Sequence, residues 1–221
     1  MRKILIAITL LALACAPAGP ANGPNDREWT LLQADYQWIQ TLRSAQKQPN
    51  PASPRKEQIE LVLNNLKNIE VPYNTFVRKT QEYYERTGDP RAARLLANEK
   101  IFLGDQFMNV LSRYDRALEY YRAALEIEPG HPDAQARIAR AEERRFVSMA
   151  AFAQVKQGMK EQDVQTLVGL PREDWIKQVV QKNRVYSVWI YPKSDGGASA
   201  IYFDNGVVYH TNWNAAAPPQ R

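Results

Sequence analysis

The sequence predicts an α+β chain: a helical N-terminal half followed by a small domain of one helix and an antiparallel sheet. Two changes of period predict it. From residue 26 to about 145, apolar residues recur at steps of three and four, the spacing of one helix face. Beyond about residue 184, the runs RVYSVWIYPK and ASAIYFDNGVVYHTNW alternate at period two, as half-buried strands do. A third observation fixes a turn. Asn205-Gly206 stands between Ile201-Tyr202-Phe203 and Val207-Val208-Tyr209, the signature of a type I′ hairpin whose two central residues take φ > 0.

The first residues stand apart from the fold. Met1-Arg2-Lys3 is positive, and the eleven residues from Ile4 to Ala14 are apolar apart from Thr9. A helix needs roughly 20 apolar residues to span a bilayer, so residues 1–14 read as a secretory signal peptide. Cys15 is the single cysteine, which cannot form an intramolecular disulfide or complete a zinc site unaided. Ala12 and Ala14 put small residues at the third and first positions before it. That suits a general signal peptidase. It also resembles the bacterial lipobox, with the usual leucine and small residue exchanged. Both readings cut before Cys15 and differ in whether it is acylated. Lipidation is the expectation, because a free thiol at the start of an exported chain has no evident use. Residues 15–25 then form a flexible tether of roughly 3 Å per residue. The expected location is the outer membrane, facing the periplasm and held by the anchor; the alternative is a soluble periplasmic protein.

Charge decides little. The chain carries 29 Lys and Arg against 24 Asp and Glu, and loss of Arg2 and Lys3 on processing leaves 27 against 24. That bias is too weak to argue for nucleic acid.

The helical half, residues 26–150, is read in order. Asn25 with Glu28 resembles a capping arrangement, opening a helix to about Lys47 with Trp29, Leu32, Tyr36, Ile39 and Leu42 on its apolar face. The prolines of PNPASP break it. A second helix covers about 55–69, with Ile59, Val62, Leu63 and Leu66 inward, and Val71-Pro72 ends it. A third covers 75–86, and TGDP punctuates again, with Pro90 suited to a first helical turn. Within about residues 97–130, Leu103, Gly104, Phe107, Ala117, Tyr121, Ala124 and Pro129 follow a small-and-aromatic pattern. Gly104 and Ala117 let two antiparallel helices approach, Phe107 and Tyr121 fill the space between them, and Pro129 ends the second. This pattern resembles the tetratricopeptide repeat (TPR), whose period is 34 residues, although Gly104 to Ala117 is one residue longer than the family spacing. One such repeat cannot bury its own face. The upstream helices are therefore read as degenerate repeats, and residues 132–145 as the solvating helix that caps an array.

The last domain is expected at 151–214, with 215–221 a disordered tail. Gly158-Met159 precedes a short amphipathic helix with Val164, Leu167 and Val168 inward and Gly169-Leu170-Pro171 as its stop. Trp189 and Tyr191 sit on one strand, and Tyr202-Phe203, Asn205-Gly206 and Val208 on a hairpin. Those words in that order resemble the SmpA/OmlA (BamE-like) family of outer-membrane assembly lipoproteins, over about 60 residues. Lys160 departs from the family's hydroxyl residue near the helix start. The two-residue turn sets Phe203 opposite Val208 and Tyr202 opposite Tyr209. Val188, Ile190, Ile201, Phe203 and Val208 then make an aliphatic core face. Trp189, Tyr191, Tyr202, Tyr209 and Trp213 make the other, which either packs on the helical half or binds a partner.

No catalytic constellation is visible, so no enzyme activity, metal or cofactor is expected. His131 and His210 have no spaced partner, Glu142 and Glu143 point apart on a helix, and no phosphate-binding glycine loop occurs. Arg137, Arg140 and Arg144 share a helix face beside Arg145, read either as a solvated face or as a contact for lipid phosphates. The expected function is a membrane-tethered, non-enzymatic protein–protein interaction scaffold in cell-envelope assembly. The resemblances point to outer-membrane β-barrel assembly subunits as partners. The alternatives are an inhibitor or regulator of a periplasmic enzyme, and a pilus or secretin assembly lipoprotein.

Overall fold

The computed structural model describes residues 24–50 and 55–216. Residues 1–23, with Cys15, the signal and most of the tether, lie outside the described residues. The described chain is α+β: helices first, then a four-stranded antiparallel sheet.

The helical half holds α1 (Pro24–Ser44), α2 (Arg55–Asn68), α3 (Glu70–Thr87), α4 (Pro90–Asn109), α5 (Tyr114–Ile127) and α6 (Pro132–Arg145). Two boundaries differ from the sequence reading. Asn25 lies inside the first turn of α1 rather than capping it. Pro72 does not end a helix; it lies in the first turn of α3, where a missing N–H leaves no intrahelical bond unmade. The punctuation at TGDP holds. Gly88 closes α3 at φ 64°, donating its N–H to the Tyr84 carbonyl, and the Asp89 side chain accepts the Arg91 N–H at the start of α4.

Packing follows the aromatic and small positions. On the α1–α3 contact, Trp29 lies 6.1 Å from Tyr83 and Tyr36 lies 5.7 Å from Phe76, so these helices run antiparallel. α4 runs in the same sense as α1, with Asp26 paired to Arg91 near one end and Arg43 to Glu99 further along. α5 returns along α4: Arg94 reaches Glu128, and the Tyr121 hydroxyl donates to Asp105 at 2.8 Å. α6 again follows α4, through His131 with Asn98 and Arg137 with Asp105. Thus α1, α4 and α6 share one sense and α3 and α5 run against it. α2 stands outside this alternation, tied to the end of α1 by Gln46 and Asn65 side chains on backbone carbonyls. Of its expected inward residues, Ile59 and Val62 are buried, but Leu63 is 49% exposed.

The close approach of α4 and α5 depends on one glycine. A Cβ on Gly104 would stand 2.7 Å from Cδ1 of Tyr121, and closer still to Cε1. Ala97, Ala117, Ala124, Ala134 and Ala141 are all buried around this seam.

The sheet half begins with a strap, residues 146–155. Val147 donates its N–H to the Pro192 carbonyl at 3.1 Å, and Phe152 packs edge-on against Trp213 at 5.2 Å. The short helix α7 (Met149–Phe152) lies in the strap, and α8 (Glu161–Val168) covers the sheet. Strands β1 (Ile176–Gln181), β2 (Arg184–Pro192), β3 (Ala198–Asp204) and β4 (Val207–Ala215) form a meander in chain order. Ala215, expected in the tail, is the last residue of β4.

β1 is a strand the sequence reading did not contain. Its turn to β2 places Lys182 at φ 48° and Asn183 at φ 60°, the same type I′ geometry as Asn205 (φ 49°) and Gly206 (φ 77°). The hairpin register is as expected at Phe203–Val208, but Tyr202 pairs with His210, not Tyr209. A bulge at this point inserts one residue into β4, which a two-residue turn cannot foretell.

Candidate interaction surface

The division of the sheet into faces differs from the sequence reading. Trp189 pairs directly with Ile201, and paired residues point to the same side. Trp189, Tyr191, Ile201, Phe203 and Val208 therefore share the core face, together with Val164 of α8 and Phe152 of the strap. Trp189 is 5% and Tyr191 4% exposed. The Trp189 and Phe203 rings lie 4.7 Å apart. The Tyr191 hydroxyl donates to the Gly169 carbonyl at 2.9 Å, satisfying the end of α8. Trp213 is also partly buried against this core. These three residues are core, not partner surface, and Val188 and Ile190 leave the core face. The five-residue connection between β2 and β3 left their register open, so the offset by one could not be read from the turn.

Tyr202 and Tyr209 do lie on the open face. They are joined there by Tyr186, which the sequence reading passed over. The Tyr202 and Tyr209 rings lie 6.1 Å apart, Tyr186 meets Tyr209 edge-on at 6.5 Å, and Tyr202 lies 5.2 Å from His210. Val188 pairs with both Lys177 and Tyr202, and Val179 with Tyr186, so β1 extends this face. Val179 is 62% and Tyr209 47% exposed. The bulge matters here: by adding a residue to β4 it presents both Tyr209 and His210 on the open side. Tyrosines with apolar rings and polar tips can bury area and still satisfy their hydroxyls in a contact.

The two edges of the sheet differ. At the outer edge of β4, Gly158 donates to the Val208 carbonyl, Val208 to the Met159 carbonyl, and Glu161 to the Gly206 carbonyl. β1 carries β2 on one side and, among the described residues, no strand on the other. It is short, and Lys177 and Lys182 stand at its two ends, a usual guard for an edge.

Gly104, Ala117, Tyr121 and Ala124 are buried at the α4–α5 seam. Leu103 and Phe107 are half-buried, with Phe107 stacked on Tyr120 at 5.3 Å, and Pro129 is exposed after α5. Burial, then hydrogen bonding to Asp105, pushes the Tyr121 hydroxyl well above its ordinary pKa. His131 is 2% exposed, its Nε2 3.1 Å from the Asn98 side-chain oxygen. The arginine face is divided: Arg137 binds Asp105 and Arg145 binds Asp115, while Arg140 and Arg144 are exposed. Hydrogen bonding to Asp105 raises the Arg137 pKa further. Among the described residues, no cluster of His, Cys, Asp and Glu could hold a metal, and no helix is long and apolar enough to cross a membrane.

The chain matches no protein-family model, no curated protein and no solved structure.

Proposed function

We propose that this chain is a lipid-anchored, non-enzymatic scaffold that holds protein partners together at the periplasmic face of a bacterial outer membrane. The observation that carries the reading is the open sheet face, where Tyr186, Tyr202 and Tyr209 are grouped and the exposed Val179 pairs with Tyr186. A face of this composition has the chemistry of a binding hot spot. The alternation of helix sense from α3 to α6, and the small-residue seam at Gly104 and Ala117, support a TPR-like reading of the last helices of this half. The order of α8, the Trp189 strand and the Asn205-Gly206 hairpin supports a SmpA/OmlA-like reading of the sheet half. Both resemblances favour barrel-assembly subunits as partners, with Cys15 carrying the lipid.

Photo-crosslinking in cells from positions 186 and 209, followed by identification of the adducts, tests the partner. Envelope-assembly subunits are expected, with adducts reduced by a Tyr202→Ala substitution on the same face. Recovery of a periplasmic hydrolase, or of no adduct, overturns the scaffold reading. Labelling with radioactive palmitate tests the anchor. Label is expected in the wild type and absent in Cys15→Ser, and an unlabelled wild type removes the anchor.

A further inference from the structure

We infer that the cleft between the helical and sheet halves binds a small amphipathic anion, a phosphate or carboxylate joined to an apolar body. The cleft has a volume of about 720 Å³, within the roughly 300–1,000 Å³ of small-molecule sites. It opens at the β1 edge of the sheet, where Lys177 pairs with Val188 of the open face, and Tyr209 is not among its lining residues. Arg144, Arg145, Arg172, Lys177 and Lys193 line it, against the carboxylates of Asp115 and Asp174.

Both carboxylates are already engaged. Asp115 holds Arg145 at 2.5 Å, and Asp174 holds Arg172 at 2.7 Å. Burial pushes the Asp174 carboxyl up, but Arg172 outweighs it and leaves the group below its ordinary range. Lys193 pairs with Asp195. Arg144 and Lys177 remain, with no carboxylate partner among the described residues; the Lys177 ammonium donates to the Asp174 backbone carbonyl. Basic residues in the last turn of α6 complement the helix C-terminus, which accounts for Arg144 and Arg145 on their own. It does not account for Lys177, which comes from the other half of the molecule to the same cleft. Two uncompensated cations brought to one concavity create a positive potential that draws an anion, and a guanidinium suits a phosphate or carboxylate particularly well. Phe146, Leu170 and Trp175 supply the apolar wall beside them.

Calorimetry on the processed full chain at low ionic strength, with three probes, tests this. Octyl phosphate carries charge and chain, octyl glucoside the chain alone, and inorganic phosphate the charge alone. Saturable binding of octyl phosphate is expected, at least tenfold tighter than either control. Arg144→Gln with Lys177→Gln should weaken it by roughly tenfold or more, the size of a lost charged hydrogen bond. Arg116→Gln, which removes an exposed cation elsewhere on α5, should leave it unchanged. All the exchanged side chains are exposed, and thermal unfolding verifies that the variants fold. Equal binding of the probes, no saturable binding, or indifference to the double substitution overturns the inference. Co-sedimentation with phosphatidylserine-containing vesicles by the chain without its acyl anchor, lost in the double variant, assigns a membrane source to the anion. Octyl phosphate binding without it assigns a soluble one. Crosslinking from position 209 reads the sheet face separately from either result.

Discussion

Trp189 and Tyr209 are both large aromatics on neighbouring parts of one sheet, yet their side chains serve different ends. Trp189 packs on Phe203 in the core, whereas Tyr209 is nearly half exposed. Trp189→Ala should cost roughly 3–5 kcal/mol through the cavity it leaves. Tyr209→Ala should change stability by about 0.5 kcal/mol or less. Urea unfolding of both variants measures the contrast, and similar losses would contradict the face assignment. Asp89 allows a prediction in pH. Hydrogen bonding to Arg91 lowers its carboxyl from 3.8 to about 2, outweighing burial, and the Tyr83 hydroxyl also donates to it. Because the folded value lies below the unfolded one, the stabilisation is complete above the unfolded value and fades as pH falls through the folded one. Asp89→Asn keeps a good helix cap, removes the charge and replaces with a donating amide one of the two oxygens that accept from Arg91 and Tyr83. It should lose about 2 kcal/mol at neutral pH. Its stability should also fall less steeply than the wild type's between about pH 4 and 2, as followed by denaturant titrations across that range.

At the scale of elements, the two hairpins show what local sequence could and could not reveal. Asn205-Gly206 announces its turn because both residues tolerate φ > 0. Lys182-Asn183 makes the same turn with a lysine at φ 48°, and lysine carries no such signal. β1 went unread for that reason, and because Val179 and Val180 stand side by side, without the alternation of a half-buried strand. Replacing Lys182-Asn183 by Asn-Gly should relieve the left-handed strain and stabilise the chain by about 1 kcal/mol, measurable as a raised melting temperature. An unchanged or lowered value would show that the lysine backbone is not strained there. Helices were more legible, since their apolar periods and the Gly88-Asp89-Pro90 stop are local. The faces of β2 were not. They depend on pairing with β3 across a loop of five residues, and on a bulge that only the folded sheet reveals. The open face was thus half legible: Tyr202 and Tyr209 were found, whereas Tyr186 and Val179 needed the register.

For the whole molecule, the strap decides where one half ends and the next begins. Val147 bonds to Pro192 and Phe152 packs on Trp213, so residues well before α8 complete the sheet core. A fragment of residues 146–216 should fold with the near-ultraviolet signature of a packed Trp213, while residues 156–216 should be destabilised by about 3 kcal/mol or more, because Phe152 and Val155 are gone. Equal stability of the two fragments would show the strap to be a mere connector.

The chain-order meander also governs timing. Each strand meets its sequence neighbour across a connection of two or five residues, so closing those loops costs little entropy. The α1–α4 contact, by contrast, joins Arg43 to Glu99 across 56 residues. Refolding should therefore divide into an early sheet phase and a later docking of the helices, since rates follow the mean sequence separation of contacts. During synthesis the sheet emerges after the helices and can close quickly, without waiting for a distant segment to arrive.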